Sequence, residues 1–336
     1  MTGTKRDTVR LLECAIDQDH YCFDTDCIAG VFQSSSVHAD DNASPGIAGA
    51  LTYGRQEIPV FSLRTILGYE SHALQRCHVV VVRSRGMHFG VLVDLVLGSR
   101  EANFGQLSPL PRIAWNADKP FFDGVAVLDQ RSRRAMNADH GDGSRQLATR
   151  EGLDISLLIA PQGLLGEPLD GASSRWRGTP LDVTALRHQQ QNQTGQIMVF
   201  GIPAGNQELP ASLALSISQV LEVVQRKRLI RVPGAPERVE GLAFWRDQIV
   251  PVVDISLALG IANSHAPSAT RLVIARNCQQ QLIAFYATAD IRTFRLPIDA
   301  KPCTLNTQAN LSLIRGSYLT NEGIVVLPNL DRFLAV

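Results

Sequence analysis

The acidic and histidine side chains that could do chemistry lie in two places. Asp254 ends a Pro-Val-x-Asp segment, while Asp139, His140 and Asp142 lie within the stretch "NADHGDGS". A carboxylate that acts as a general acid or base needs a partner group within reach, and no second carboxylate at catalytic spacing accompanies Asp254. The Asp139 group matches neither a calcium loop nor a zinc site. We therefore expect a helix cap at Asp254, a polar acidic loop around Asp139, and no metal.

The motifs of common enzymes are missing from the sequence. It contains no nucleophile elbow, no phosphate-binding loop and no dinucleotide fingerprint, so nucleophilic and ATP chemistry lack their usual residues. Six cysteines are scattered without a Cys-x-x-Cys pair, which favours buried, reduced thiols. These observations predict a protein that is not an enzyme and carries no cofactor.

Composition indicates which general class of protein the chain belongs to. Of the 336 residues, 45% are hydrophobic and 19% charged, and 32 basic residues balance 32 acidic ones. Such a chain can bury a sizeable core, and its net charge gives no general attraction to nucleic acid or lipid. The longest apolar stretch, "HVVVVRSRGMHFGVLVDLVLG", is interrupted by Arg83 and Arg85. We expect a cytoplasmic protein without membrane insertion.

Short apolar runs predict an all-β fold. They are rich in Val, Ile and Leu, bounded by turn residues, and separated by no convincing amphipathic helix. The predicted strands cover residues 78–83, 89–97, 124–128, 155–159, 196–202, 271–275, 282–286 and 323–327.

The sequence repeats itself at a spacing of 192 residues. The phrase "EIPVFSLRTILG" (57–68) returns as "IVPVVDISLALG" (249–260), and the whole stretch 21–68 aligns without a gap on 213–260. Later in the repeat, the first copy holds 23 extra residues, which fall in a polar segment. The predicted organisation is a first domain at 1–165 with a long loop at 129–154, a polar linker at 166–194, and a second domain at 195–336.

The repeated phrase is interpreted as a strand, a capped helical turn and a stop. Pro59 and Pro251 have no N–H to donate, which predicts a sheet edge or a strand end. Ser62 and Asp254 stand where an N-cap is needed. Gly68 and Gly260 suit a left-handed C-cap.

The second copy resembles the CheW-like domain of bacterial chemosensory adaptors. The matching features are a Glu-Val pair at Glu222, a "PGAP" turn, a glycine, an arginine and a "PVVD" segment, and they involve Glu222, Pro233, Gly234, Gly241, Arg246, Pro251 and Asp254. Asp247 stands where that family has a glycine, a departure that affects the tight turn after Arg246. The first copy is more divergent, but Gly90 and Asp94 in "MHFGVLVDLVLG" and Gly124 in "FFDGVAVLDQ" are similar to later family strands.

The resemblance implies two tandem domains, each a pair of small five-stranded SH3-like β-barrels, without catalytic activity. It also implies a role in chemotaxis signal transduction as an adaptor or scaffold. The implied partners are the regulatory domain of a chemosensory histidine kinase and the cytoplasmic tip of methyl-accepting receptors, with other CheW-like domains as a further expectation. The location implied is the cytoplasm, at membrane-associated receptor arrays. An adaptor of a surface-motility or other non-flagellar pathway is the alternative within this class.

Arg246 is the residue most expected to bind a partner, because the aromatic Trp245 precedes it and such pairs are favoured in interfaces. The alternative is a surface arginine paired with Asp247. The other candidate partner-binding residues are Trp245, Asp247, Gln248, Glu222, Arg226 and Arg228.

The stretch "QRKRLIR" (225–231) carries four positive charges, and three explanations stay open for it. It could be a solvated face, a surface for an acidic protein, or the basic patch of a nucleic-acid-binding β-barrel. The lack of interleaved aromatic residues argues against nucleic acid.

Overall fold

A computed structural model of the chain describes residues 8–38, 46–70, 77–129, 153–166, 196–201, 211–259, 271–288, 290–295, 301–302, 310–320 and 323–334. Gly260, the Asp139 segment, and nearly all of the predicted long loop and linker lie outside these residues. None of the described helices is long and apolar enough to span a bilayer.

The first half of the chain is built from twelve described strands and two short helices. The strands are β1 (Thr8–Ile16), β2 (Asp19–Asp24), β3 (Ile28–Gln33), β4 (Val37–His38), β5 (Ile47–Tyr53), β6 (Gln56–Ser62), β7 (His78–Ser84), β8 (Met87–Val93), β9 (Leu95–Asn103), β10 (Leu107–Pro109), β11 (Phe122–Asp129) and β12 (Leu153–Ile159). The helices are α1 (Leu63–Ile66) and α2 (Pro161–Leu164).

The second half repeats this pattern with eleven described strands. These are β13 (Gln196–Phe200), β14 (Ala211–Ser216), β15 (Val220–Gln225), β16 (Val239–Trp245), β17 (Gln248–Val253), β18 (Arg271–Arg276), β19 (Leu282–Ala287), β20 (Ile291–Arg295), β21 (Lys301–Pro302), β22 (Ile314–Thr320) and β23 (Gly323–Pro328). Its helices are α3 (Ile255–Leu259) and α4 (Leu330–Leu334).

The described strands form four sheets, two from each half. Their strand orders are β10-β11-β12-β2-β1-β9 and β3-β7-β8-β6-β5-β4 in the first half, and β20-β13-β14-β23-β22-β21 and β15-β18-β19-β17-β16 in the second. The prediction of an all-β chain with two sheet-built modules in each of two tandem domains is confirmed. Three sheets have six strands rather than five, because the short strands β4, β10 and β21 extend one edge of each.

Two compact units divide the chain, one comprising Met1–Leu110 with Asn116–Thr179 and the other Pro111–Trp115 with Pro180–Val336. The short segment Pro111–Trp115 thus belongs to the second unit, where Ile113 is buried in the main apolar core with Phe285 and Phe333. The rings of those two phenylalanines pack edge to face, with centroids 6.2 Å apart. The boundaries expected from the sequence, 1–165 and 195–336, stay a prediction.

Three β-bulges recur at the spacing of the sequence repeat. Register shifts occur at Ile28/Gly30, Ile47/Gly49 and Phe122/Gly124 in the first half, and at Val220/Glu222, Val239/Gly241 and Ile314/Gly316 in the second. Each pair of bulges lies 192 residues apart. Because a bulge bends its strand and increases the local twist, the repeat reproduces the curvature of the sheets.

Gly241 and Gly49 explain why two of these bulges require glycine. Their φ angles are 149° and 147°, a region that other residues rarely adopt. A Cβ on Gly241 would lie 2.5 Å from the carbonyl oxygen of Ile230, and one on Gly49 would lie 2.2 Å from that of His38. Both positions therefore exclude any side chain.

The prolines of the repeated phrase correct one expectation. Pro59 and Pro251 lie in β6 and β17, which are interior strands rather than edges, and neither proline is at a strand end. The parallel pairing with the next strand begins only one residue later, at Val60 and at Val252. Each proline therefore precedes the ladder in which its missing N–H would leave a gap.

A second correction concerns the strand expected at 89–97. It is two strands, β8 and β9, separated at Asp94. The Asp94 side chain accepts a hydrogen bond from the backbone N–H of Asp17 at 2.9 Å and forms an ion pair with Arg64 at 2.5 Å. The polar contacts of this one residue interrupt an otherwise continuous apolar run.

Arg64 is the centre of an ion cluster in the first unit. Its guanidinium is nearly buried, pairs with Asp17 and Asp94, and donates to the carbonyl of Glu70 at 2.8 Å. These contacts join α1 to the β1–β2 turn and to the β8–β9 junction. Hydrogen bonds to Asp17 and Asp94 raise the pKa of Arg64 above its usual value, so it stays charged.

We expect Gly241→Ala to lower the free energy of unfolding by about 3 kcal/mol or more, because a Cβ there would meet both a forbidden φ and a backbone oxygen. Urea unfolding of the full chain measures this. The control is Gly54→Ala, where φ is 64° and no atom lies within 4 Å of the added carbon, so the loss is about 1–2 kcal/mol. Equal losses would contradict the importance of the close approach.

We expect Arg64→Ala to cost about 3 kcal/mol of unfolding free energy, since it leaves two carboxylates without their shared cation. The matched control is Arg10→Ala, which removes a pair with Glu101 whose side chains are 64% and 65% exposed. Such a surface pair contributes about 0–1 kcal/mol. Chemical denaturation of both variants measures their free energies of unfolding. Equal decreases in the two variants would mean that the Arg64 cluster stabilises the fold no more than a surface ion pair does.

Candidate protein-binding site

The site expected around Arg246 lies at the tip of the β16–β17 hairpin. Trp245 and Gln248 are paired across the strands, so Arg246 and Asp247 form a two-residue turn. Both have positive φ, 45° and 62°, which is the pattern of a type I′ hairpin turn. Asp247 thus occupies a left-handed conformation that suits glycine best, and the departure from the family glycine does not remove the turn.

Glu222 reaches this hairpin from β15, which is at the opposite end of the strand order of the same sheet from β16. It lies at the bulge in β15, and bulges commonly re-aim a side chain. Its Oε2 accepts a hydrogen bond from the indole Nε1 of Trp245 at 2.9 Å and lies 2.8 Å from Nη2 of Arg246. One carboxylate oxygen therefore fixes both residues.

The indole of Trp245 packs against the guanidinium of Arg246. The indole is buried in a cluster with Leu272, Ile274 and Tyr286, and the Cζ of Arg246 lies 5.0 Å from the ring centroid. The side chain of Arg246 is nevertheless 69% exposed. A guanidinium carries five N–H donors, so Arg246 is an oriented, exposed donor group on a rigid base. Arg246 forms its ion pair with Glu222 rather than with Asp247.

A second guanidinium lies over an aromatic ring on the same sheet. The Cζ of Arg226 is 5.0 Å from the ring centroid of Tyr286 in β19, and Lys227 Nζ donates to the carbonyl of Phe244 at 3.4 Å. Burial raises the pKa of Tyr286 above its ordinary value, so the phenol is neutral. Arg228, further along the stretch, is exposed.

The equivalent hairpin tip of the first unit carries different residues. Gly30, Tyr53 and Gly54 stand at the positions of Glu222, Trp245 and Arg246. Gly30 offers no carboxylate, and the Tyr53 hydroxyl donates instead to the carbonyl of Ala29 at 3.3 Å. Gly54 has a φ of 64° at the first central position of its turn, where a type II′ turn takes glycine. Arg55, the second residue of this turn, is exposed, but Gly30 gives it no carboxylate partner equivalent to Glu222.

The other residues singled out from the sequence have places in the scaffold. Asp254 accepts hydrogen bonds from the backbone N–H groups of Ser256 and Leu257 at the start of α3, and Ser62 accepts one from Thr65 at the start of α1. Gly68 follows α1 with a φ of 74°. Gly90 leaves no room for a side chain, since a Cβ would be 2.7 Å from Val79, and Gly124 lies at a bulge.

Pro233 and Gly234 form the turn expected from "PGAP". The N–H of Ala235 donates to the carbonyl of Val232 at 3.1 Å, and Gly234 has a φ of 79°. Proline at the second position and a left-handed glycine at the third are the signature of a type II turn.

Sequence reasoning missed Tyr286 and the Arg64 cluster. Tyr286 meets Arg226 only because β15 and β19 both pair with β18. Arg64 meets Asp17 and Asp94 from positions 47 and 30 residues away. The tertiary fold brings these groups together, and no local spacing signals it.

Comparisons with known proteins identify the family. The family model "CheW-like domain" matches residues 10–140 and 196–336. A chemotaxis protein CheW of Helicobacter pylori is 26% identical over 149 residues, which is 44% of this chain and 86% of that protein. A chemotaxis protein CheW of Thermotoga maritima is 29% identical over 97 residues, covering 29% and 64% respectively.

A solved structure of the scaffolding protein TtCheW from Thermoanaerobacter tengcongensis also matches. The identity is 16% and the TM-score 0.37, over 48% of this chain and 97% of the other.

We expect opposite effects from two changes at Asp247. Asp247→Gly raises the free energy of unfolding by about 0.5–1 kcal/mol, because glycine adopts a positive φ without steric cost. Asp247→Ala lowers it by a similar amount, since alanine tolerates that conformation less well than aspartate. Urea unfolding of both variants is the measurement. Changes of the same sign would contradict the left-handed turn.

Proposed function

The chain belongs to the CheW-like domain family, with two copies of the domain, and we propose that it is a non-catalytic adaptor in bacterial chemosensory signalling. In this role it couples methyl-accepting receptors to a histidine kinase through protein contacts. We expect a cytoplasmic location at membrane-associated receptor arrays. Support comes from the family match, which extends over both domains, and from relatives named as chemotaxis proteins.

The partner-binding surface that we propose is the tip of the β16–β17 hairpin with Glu222. The observation that carries this assignment is the arrangement of Glu222, Trp245 and Arg246, in which an exposed guanidinium is fixed by an ion pair and a buried indole. Arginine and tryptophan dominate the binding energy of many interfaces. A guanidinium held in place before binding also loses less side-chain entropy when a partner docks.

The two domains differ at this surface, which favours a division of labour. The first domain has Tyr53, Gly54 and Arg55 at the equivalent tip, so its arginine stands at the position of Asp247 and glycine replaces the acid at position 30. Two linked modules with unlike surfaces can bridge different targets, or raise the effective concentration of one domain after the other has bound. We propose that the second domain supplies the receptor or kinase contact, and that the first contributes an accessory contact, including contact with other CheW-like domains.

We expect Arg246→Ala to weaken binding of the full chain to the kinase regulatory domain or to the receptor tip at least tenfold. The substitution removes the exposed guanidinium and takes away the ion-pair partner of Glu222. Calorimetry with each purified partner measures the loss. Arg292→Ala is the matched control, as it removes an exposed arginine paired with Asp290 in the same domain.

Two results would count against the proposal, and they separate its parts. Wild-type binding by Arg246→Ala for both partners would reject the hairpin as the contact surface. Failure of the unaltered chain to bind either a chemosensory kinase or a receptor would reject the adaptor role itself.

A further inference from the structure

A cluster of buried polar side chains crosses three adjacent strands of the first domain. Glu13 lies on β1, His20 on β2 and Asp154 on β12, and these strands are neighbours in the order β12-β2-β1. Glu13 is 1% exposed, Asp154 5%, and the His20 side chain 12%. Polar groups this deeply buried require partners, and these three face one another.

The ligand atoms are close enough to surround one ion. An imidazole nitrogen of His20 and one carboxylate oxygen each from Glu13 and Asp154 all lie within 4.8 Å of one another, and His20 Nδ1 is 2.9 Å from Glu13 Oε1. Bonds of 2.0–2.2 Å to a tetrahedral zinc ion place its ligand atoms about 3.4 Å apart. Small movements of side chains therefore suffice to form the site.

Arg100 orients the two carboxylates of the cluster. Its Nη1 lies 3.2 Å from Glu13 Oε2 and 3.6 Å from Asp154 Oδ2, so one guanidinium contacts both acids. Because Arg100 contacts the opposite oxygen of Glu13, Oε1 stays directed at His20.

The donor set selects the kind of ion. One imidazole and two carboxylates suit zinc and similar divalent transition metals, whereas calcium and magnesium need six or more oxygen ligands. Ser156 Oγ, 3.5 Å from Glu13 Oε1, is positioned to complete the polar surroundings.

We propose that Glu13, His20 and Asp154 bind one divalent transition-metal ion of the zinc type, with water at the remaining position. The bound ion joins three strands of one sheet and so stabilises the first domain. Ser212 and Gly323 stand at the positions of His20 and Asp154 in the second domain, so the site belongs to the first domain alone. It is independent of the partner surface on the second domain.

The test is calorimetric titration of Zn²⁺ into the reduced, metal-stripped full chain. We expect one site that His20→Gln weakens by more than about 100-fold, since glutamine can keep the hydrogen bond to Glu13 but is a poor metal ligand. His38→Gln, an exposed histidine on β4, is the matched control and leaves the affinity unchanged. Asp154→Asn is a second variant that keeps an acceptor for Arg100, and it should weaken binding similarly.

Two further readouts distinguish this site from cysteine ligation and require no variant. Co²⁺ bound at the site gives visible absorption without the thiolate charge-transfer band of cysteine ligands, and Zn²⁺ slows hydrogen exchange of the amides in β1, β2 and β12. Equal Zn²⁺ affinity in wild type and His20→Gln would overturn the proposal. So would a thiolate band, or binding that leaves exchange in those three strands unchanged.

Discussion

The β-bulge at residue 222 is the constraint on which the proposed partner surface depends. A bulge adds one residue to a strand and changes the direction of side chains beside it. Here Leu221 is the residue without a register partner, and Glu222 next to it accepts a hydrogen bond from the indole of Trp245. The first domain has the same bulge at the equivalent place, but with Gly30. The backbone distortion is therefore common to both domains. Whether a carboxylate contacts the hairpin tip depends on the residue at this position, which is Glu222 in the second domain and Gly30 in the first.

The two domains also differ at the equivalent helical turns. In the first, Arg64 gathers Asp17 and Asp94 into an ion cluster. In the second, Ser256 stands at the position of Arg64, and its hydroxyl belongs to the cap made by Asp254. The core around α3 is apolar, with Ile255 and Leu259 packed among Phe200, Phe285 and Phe333. Equivalent helical turns are thus held by an ion cluster in one domain and by a cap over an apolar core in the other.

Local sequence patterns predicted much of this fold. Runs of β-branched residues located most strands, and the 192-residue repeat predicted two equivalent domains. The exceptions have physical causes. Asp94 divides a run through contacts with residues far away in sequence, and Pro59 and Pro251 lie in interior strands whose parallel ladders begin one residue later.

The candidate site was only partly predictable. Trp245 and Arg246 are adjacent in sequence, but their contact with Glu222 requires that β15 and β16, the two edge strands of one sheet, meet, which no local spacing encodes.

The two hairpin tips limit how one domain could evolve into the other. Replacing Gly54 by arginine alone would put a side chain at a φ of 64°, and the glycine at position 30 would offer it no carboxylate. A glutamate placed at position 30 alone would bring its Cβ to 3.0 Å from the ring of Phe32. Each of these steps therefore has a steric cost without the contacts that Glu222, Trp245 and Arg246 make together. Converting the first tip into the second requires substitutions at all three positions before the complete set of contacts can form.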